Sequence, residues 1–335
     1  MADLTAVRRE AVFEAELLLA RLDIGPGDRL DVFDTIEDAG VWLSFEPLDS
    51  LFGWYQRVDK HTAGIVVNAS HPTALQRFTA AHELGHHVLG HTYSFDDQHT
   101  VIDGGQGDDP QEVAAQTFAA NLLMPLASVE YQLARLGLDL ARPTVDARHV
   151  YRMSVEMGVS YLATVVQLAS LKKIGWPTAR RLRQVQPLAV KSDLVGRPPE
   201  MSRAAVWLLE EADNARTLAV DVGDELHVLA PEIRSSGFRW MANALTDNGF
   251  RVVADSLEPV HANGSTRYGA PQSRHFVFQA AESGSYQLKL DMRQAWLPES
   301  TPEREYSLFV EVQAPRTGEL GKGLSINQHP QILAA

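Results

Sequence analysis

His82, Glu83 and His86 form a His-Glu-x-x-His run inside the segment Phe78-Thr79-Ala80-Ala81-His82-Glu83-Leu84-Gly85-His86-His87-Val88-Leu89. On a helix, two histidines four residues apart project from one face and can bind a single metal ion. Glu83 lies beside that face, where a carboxylate can serve as general base towards a water activated by the metal. This is the chemistry of a zinc peptidase: three protein ligands hold Zn2+ and the fourth position stays open. Ala80, Ala81, Leu84, Val88 and Leu89 recur at helical spacing and would bury one side of the helix, Gly85 keeps the turn between the histidines narrow, and Gly90 supplies a stop. Ahead of it, residues 63–68 read as a short buried strand that would offer an extended peptide an edge to pair with.

A third ligand is needed. The extended metzincin spacing would place a glycine where Leu89 stands and a histidine where Thr92 stands, whereas Gly90 and His91 are each displaced by one. One residue is a rotation of about 100° on a helix, so His91 does not reach the metal. His87 and His91 read as surface histidines or as supports behind the ligands. Downstream, Asp109-Pro110 is a strong helix start, with aspartate as N-cap and proline at the first helical position, and Pro125 marks the end of that helix. Glu112, three residues after Asp109, fits a capping-box glutamate and a metal ligand equally well. Asp96, Asp97, Asp103, Asp108 and Asp109 are rival acids on the preceding loop.

The stretch from Gln76 to His86, followed by Glu112-x-x-Ala115-Gln116-x-Phe118-Ala119-x-x-Leu122-Leu123-Met124-Pro125, resembles the ImmA/IrrE family of bacterial metallopeptidases. The resemblance implies a zincin-like α+β domain with Glu112 as third zinc ligand and Glu83 as catalytic glutamate. It departs from the family at Gln116, where Asn is frequent. It also implies a narrow protein substrate, commonly a helix-turn-helix repressor whose cleavage relieves repression under stress or signal. A further donor to the oxyanion is expected, with Tyr55, His87 and Tyr93 as unranked candidates.

The elements that must position this chemistry occupy a chain of 335 residues, enough for two or three domains. There is no cysteine, which excludes thiol catalysis, disulfides and Cys-ligated zinc. Charged residues interrupt the N-terminal segment and no long apolar run follows, so a cytoplasmic protein without a membrane span is expected. A zincin-like domain is assigned to residues 1–128, with helices near 10–22 and 31–39 and a strand at 41–45. Residues 129–191 read as helical. Ala147–Met157, Gly158, the capping Ser160 and Tyr161–Leu171 resemble a helix-turn-helix. Six basic residues and no acid lie between Lys172 and Lys191. DNA contact is conceivable, but the net charge of −13 favours a helical bundle packed on the peptidase domain with solvated basic residues.

Residues 192–214 read as a linker with a short helix at 202–212, marked by Pro198-Pro199. Beyond it the apolar period changes to two, and six or seven strands within 215–315 suggest an antiparallel β-sandwich. Residues 316–335, with three glycines, read as a flexible tail. The sandwich resembles the chagasin family of cysteine-protease inhibitors, an immunoglobulin-like fold. Val222-Gly223-Asp224 with Leu226-x-Val228, Ser236-Gly237-Phe238-Arg239-Trp240, and Gly284-x-Tyr286-x-Leu288-x-Leu290 leading to Arg293-Gln294-Ala295-Trp296 carry the resemblance. It makes Ser236, Gly237, Trp240, Arg293 and Trp296 candidate binding-loop residues. The family's Asn-Pro-Thr-Thr-Gly reads Ile233-Arg234-Ser235-Ser236-Gly237 here, and its Arg-Pro-Trp tip reads Arg293-Gln294-Ala295-Trp296. A loop that blocks a cleft depends on its shape, so the resemblance carries the fold further than it carries binding of a cysteine protease.

The whole therefore reads as a multidomain α+β zinc endopeptidase whose β-sandwich recognises substrate or regulates access. The competing readings are a non-catalytic regulatory DNA- or protein-binding protein with a structural zinc, and an inhibitor of cysteine proteases. An intact Glu83 and only three good ligands favour catalysis over a structural site, which closes all four positions.

Overall fold

The computed structural model describes residues 3–59, 62–91, 93–97, 109–233, 236–242, 249–259, 272–294, 296–297 and 300–320. They fall into two compact units: one runs to Pro187 and resumes at Arg316, and the other is Leu188–Pro315.

In the first unit, α1 (Leu4–Arg21) and α2 (Val32–Asp38) each start on an aspartate whose side chain accepts a helix N–H, Asp3 from Thr5 and Asp31 from Phe33 and Asp34. Then come β1 (Trp42–Glu46), β2 (Leu51–Arg57), β3 (Ala63–Asn68), α3 (Thr73–Val88), β4 (Tyr93–Asp97), α4 (Pro110–Leu123) and α5 (Leu126–Arg135). Three further helices follow: α6 (Ala147–Met157), α7 (Tyr161–Ser170) and α8 (Trp176–Leu182). Helix α3 is buried without interruption from Gln76 to His86, which is more than one amphipathic face. It packs on β2 and β3 on one side and on α4 on the other.

With a last strand, β13 (Gly318–Leu320), the sheet order is β13-β1-β3-β2-β4, with β1 and β3 parallel and the other pairs antiparallel. Strand β3 is therefore internal, paired on both sides, and offers no edge to a peptide; among the described strands the edges are β4 and β13. The six residues of β3 are all buried, as a strand covered on both faces and both edges must be.

The helices after α4 belong to the same compact unit as the sheet. Buried Arg77 of α3 donates to the carbonyls of Leu30 (2.7 Å) and Gly158 (3.0 Å), and Gln167 of α7 donates to the Met124 carbonyl at 3.0 Å. Gly158 closes α6 at φ +64°, a left-handed turn that glycine adopts without strain, and Ser160 caps α7 through the Ala163 N–H. In the basic stretch, Lys173 is tied to Glu130 at 2.6 Å and buried Lys191 donates to the Ser202 and Ala204 carbonyls. Arg180, Arg181 and Arg183 are exposed.

Residues read as a flexible tail contain a strand, β13 (Gly318–Leu320), which pairs antiparallel with β1 in the register Leu43↔Leu320. The Arg316 guanidinium lies 4.3 Å over the Phe33 ring and 3.5 Å from Asp31 Oδ2. Residues 321–335 lie outside the described residues.

The second unit holds two four-stranded sheets, β5-β7-β10-β9 and β6-β12-β11-β8. The strands are β5 (Val206–Leu209), β6 (Thr217–Asp221), β7 (Glu225–Glu232), β8 (Phe238–Ala242), β9 (Phe250–Pro259), β10 (Gln272–Ala280), β11 (Gly284–Gln294) and β12 (Arg304–Gln313). Pairing is antiparallel except that β5 runs parallel to β7 and β6 to β12. The alternation on β12 puts Tyr306, Leu308, Val310 and Val312 inside.

The stretch read as a linker with a short helix is instead integral to this unit. Residues 206–209 form strand β5, and in the range 202–212 only Glu211 and Ala212 are helical, as the start of a three-residue 3-10 turn, Glu211–Asp213. Fully buried Glu225 explains the docking: it accepts from Arg197 Nη2 at 2.7 Å, from the Glu200 N–H at 2.7 Å, and from His227 Nε2 at 3.0 Å. A buried carboxylate demands such partners, and the segment around the prolines supplies them.

The β13 contacts generate a stability prediction for the first unit. Arg316→Ala removes a cation–π contact and a carboxylate partner and costs about 1 kcal/mol, a fall in melting temperature of about 2–4 °C. Deleting residues 316–335 removes the β13 pairing as well and should lower it further. Calorimetry giving the same melting temperature for all three chains would contradict this.

Candidate metal centre

Helix α3 presents His82 and His86 one turn apart, both fully buried, with their Nε2 atoms 3.0 Å apart. Helix α4 brings the Glu112 carboxylate between them, with Oε2 3.2 Å from His82 Nε2 and Oε1 3.5 Å from His86 Nε2. Tetrahedral ligands about 2.0–2.1 Å from zinc lie about 3.3 Å from one another, so these separations fit a shared ion of that size. Among the described residues this is the one group of three or more His, Cys, Asp or Glu side chains brought together in this way. Two imidazoles and a carboxylate form a nitrogen- and oxygen-rich donor set suited to zinc or a similar divalent transition metal.

The local sequence explains why Glu112 faces the histidines. Asp109 caps α4 by accepting from the Gln111 N–H, and Pro110 occupies the first helical position. With capping done by Asp109, the Glu112 carboxylate points at His82 and His86 instead. Burial would raise its pKa, but the hydrogen bonds and charges of the two imidazoles outweigh burial and hold it well below the usual carboxylate range. Of the rival acids, Asp109 is the cap, and the side chains of Asp96, Asp97, Asp103 and Asp108 lie outside the described residues.

Gly85 sets the distance between the two helices. A Cβ there would sit 3.0 Å from Phe118 Cδ1 and 3.2 Å from Ala115 Cα, both on α4. Its role is thus the approach of α4 rather than the narrowness of its own turn. On the sheet side Gly53 of β2 does the same: a Cβ would lie 2.6 Å from Thr79 Cγ2, 2.7 Å from the Val66 carbonyl and 3.5 Å from Glu83 Oε1. Glu83 is fully buried beside His82, and the bare backbone at Gly53 leaves room next to its carboxylate.

His91 is not among the three converging donors, but its Nδ1 lies 2.8 Å from His86 Nδ1. It thereby orients the imidazole from behind and fixes which nitrogen faces Glu112. Burial, with the neighbouring His86 charge, pushes the His91 pKa down to about 4. The sequence contained the signal for this role: the left-handed Gly90, at φ +80°, folds the chain back over the last turn of α3. His87 faces elsewhere, with its Nδ1 3.2 Å from the Tyr55 hydroxyl and its carbonyl accepting from Arg57 at 2.7 Å. Burial raises the Tyr55 pKa, and burial together with the Arg57 charge lowers that of His87. Tyr55 is fully buried and engaged with His87, and the Tyr93 side chain lies outside the described residues.

In the second unit the candidate loop residues separate into two kinds. Trp296 is 64% exposed, and its ring covers Gly237 so closely that a Cβ there would lie 2.4 Å away. Ser236 Oγ accepts from Phe238 N–H and donates to the Ile233 carbonyl. Trp240, read as a loop residue, is instead buried within β8, its indole N–H donating to the Pro231 carbonyl at 2.9 Å. Arg293 lies within β11 and is held by Asp291 at 2.8 Å. Both are fixed because β8 and β11 pair through Arg293↔Arg239 and Met292↔Trp240, where alternation turns Trp240 inward.

Residues 36–168 match the model of the IrrE N-terminal-like domain, Peptidase_M78, and residues 219–310 match that of the chagasin family peptidase inhibitor I42. The chain is 34% identical over 100 residues to the radiation response metalloprotease IrrE of Deinococcus radiodurans, a match spanning 29% of each chain. Solved structures similar to the β part include the cysteine protease inhibitor EhICP2 of Entamoeba histolytica, at 21% identity, a TM-score of 0.29, and coverage of 32% of this chain and 96% of that one. Another is the Leishmania mexicana ICP, at 19% identity, a TM-score of 0.25, and coverage of 30% and 90%. The chain thus joins a metallopeptidase-family segment to an inhibitor-family β segment.

The geometry makes separable predictions about metal content, read by elemental analysis of the purified chain. Glu112→Ala should leave α4 capped and folded but reduce bound metal to well below one per chain. Gly85→Val should lower metal content and stability together, by about 1–3 kcal/mol, because the helices must part. His91→Ala should weaken metal affinity about 10- to 100-fold with little change in melting temperature. Full metal occupancy in the Glu112 variant would return that residue to a purely structural role.

Proposed function

We propose that this chain is a zinc-dependent endopeptidase that hydrolyses a specific protein, a DNA-binding transcriptional repressor, in a cytoplasmic stress or signal response. The observation that carries the reading is the convergence of His82, His86 and Glu112 donors at 3.0–3.5 Å, with the Glu83 carboxylate buried beside them. The match of residues 36–168 to the IrrE N-terminal-like domain supports the peptidase class, and the named relative supports a stress-response setting.

His82, His86 and Glu112 would hold the ion. Such an ion would supply Lewis acidity towards the scissile carbonyl and a lowered pKa for water at that position. Glu83 takes the proton of the attacking water and returns it to the nitrogen of the leaving amine, so that hydroxyl ends on the acyl carbon and hydrogen on the amine. Its place on α3 next to His82, with no side chain opposite at Gly53, is what lets it reach both partners in turn. His91 and Tyr55 act through the residues they touch: one holds His86, the other holds His87 and with it the end of α3.

The β-sandwich would recognise the substrate or regulate access to the site. A second reading, binding of a cysteine protease, draws on the chagasin-family match and on the exposed Trp296 over Gly237. The altered loop sequences around Ile233 and Gln294 weigh against it.

Co-expression with a helix-turn-helix repressor encoded beside the gene tests the main reading. The wild-type chain should cut the repressor at one bond, identified by intact mass. Glu83→Gln should keep its metal and lose about 10²- to 10⁴-fold in rate. Equal cleavage by this variant would refute the assigned mechanism, and sensitivity of a papain-like protease to the metal-free chain would instead favour the second reading.

A further inference from the structure

Helices α3 and α4 pack together along the metal centre, and a separate cavity begins one turn further along both. On α3, Phe78 stands one turn before His82, and on α4, Gln116 stands one turn after Glu112. Positions four apart share a face and lie about 5–6 Å along the helix. Both residues line a cavity of about 140 Å³, closed on its other side by Leu162 and Val166 of α7. All of these elements belong to the first unit.

The chemistry of the wall decides what the cavity takes. Phe78, Ala120, Leu162 and Val166 present apolar surface. Part of the polar lining is already committed: Thr117 donates to the Val113 carbonyl, Asn121 donates to the Thr117 carbonyl and accepts from Gln167, and Ser160 accepts from the Ala163 N–H; Arg8 and Ser170 line the cavity as well. One atom differs. Gln116 Oε1 is buried and has no hydrogen-bond partner among the described residues. An unpaired buried carbonyl costs free energy until an N–H reaches it. A cavity near 150 Å³ with apolar walls is large enough to hold a benzene ring.

We propose that this cavity receives a large apolar side chain of the substrate, Phe or Leu in size, while Gln116 Oε1 accepts a backbone N–H of the same peptide. The proposal rests on the peptidase reading for its link to catalysis, but not for the pocket itself. It assigns Gln116, Phe78 and Ala120 to substrate selection, and it names the substrate class as a chain segment carrying an exposed apolar residue close to the cut. Gln116 then serves a different purpose from the ligands one turn away: it positions the peptide backbone while the walls sort side chains by size.

Two measurements on the full-length chain separate the pocket from the peptidase activity. The first uses N-acetyl-phenylalaninamide as probe with metal-free protein, followed by saturation-transfer NMR. Wild type should bind it, and Ala120→Phe and Ala163→Phe, which fill the cavity from two helices, should not. Melting temperatures of the variants check that each is folded. The second uses zinc-loaded protein and octapeptide pools, random except at one position that holds Phe, Leu, Ala or Asp. Phe and Leu pools should be cut roughly ten-fold or more faster than Ala and Asp pools. Ala120→Phe should erase that preference while metal content stays at one, and Gln116→Leu should slow all pools alike. Absence of probe binding to wild type, or equal binding by both filled variants, overturns the pocket. Cleavage of all pools at one rate overturns its role in selection while leaving the peptidase reading intact. Probe binding that the filled variants lose, with no cleavage of any pool or of the repressor, upholds the pocket and sinks the peptidase reading.

Discussion

The metal centre depends on one close approach, α3 against α4 at Gly85. Three ligand atoms can converge within hydrogen-bond distances only if the two backbones come nearer than side chains permit. Gly85 makes that possible against Ala115 and Phe118. Several side-chain hydrogen bonds of the first unit tie α3 in place for that contact. Arg77 pins it to Leu30 and Gly158, Gln76 to the carbonyls of Ala69 and His71, and Arg57 to its last turn. A helix buried on nearly every side cannot rotate its histidines away from the carboxylate without breaking several of these bonds at once. The two imidazoles and the carboxylate are costly to bury, and their mutual arrangement offsets that cost only at this spacing.

Much of the centre was legible because it is local. The i, i+4 spacing of His82 and His86 needs nothing beyond one helix, and Asp109-Pro110 announces a helix start in adjacent letters. Glu112 was ambiguous for a physical reason: the first turn of a helix rewards a carboxylate for capping and for ligation alike. The choice rests on whether Asp109 caps alone, which only the fold reveals. Helical rotation keeps His91 out of the ligand set in the sequence reading, but α3 ends at Val88, and the contact of His91 with His86 depends on the left-handed turn at Gly90.

The less legible parts are those settled by distant partners. Strand β3 reads as a peptide-pairing edge from its own six residues, but β1 and β2 occupy both its sides. Strand β5 reads as helix because Ala204, Ala205 and the leucines after Trp207 favour one locally; pairing with β7, and the demand of buried Asp224 for the Ala205 N–H and the Trp207 indole, override that preference. Asp224 itself is pushed up to about 6 by burial, against His227 pushed down to about 4 by burial. This interior of the β-sandwich is thus polar at its seams as well as apolar at its centre. Trp240 followed the same logic, since strand alternation rather than loop position decided its burial.

The pairing of β13 with β1 bears on how the chain is made. Strand β1 is synthesised early, and its antiparallel partner emerges only after the whole β-sandwich has left the ribosome. At common elongation rates the delay is on the order of tens of seconds. During that interval the β1 edge, Trp42 to Glu46, stands as an unpaired template beside an otherwise complete sheet. The sheet of the first unit is therefore completed only after the second unit has been made, and the newborn chain passes through a stage in which its own free edge is open to any extended segment nearby.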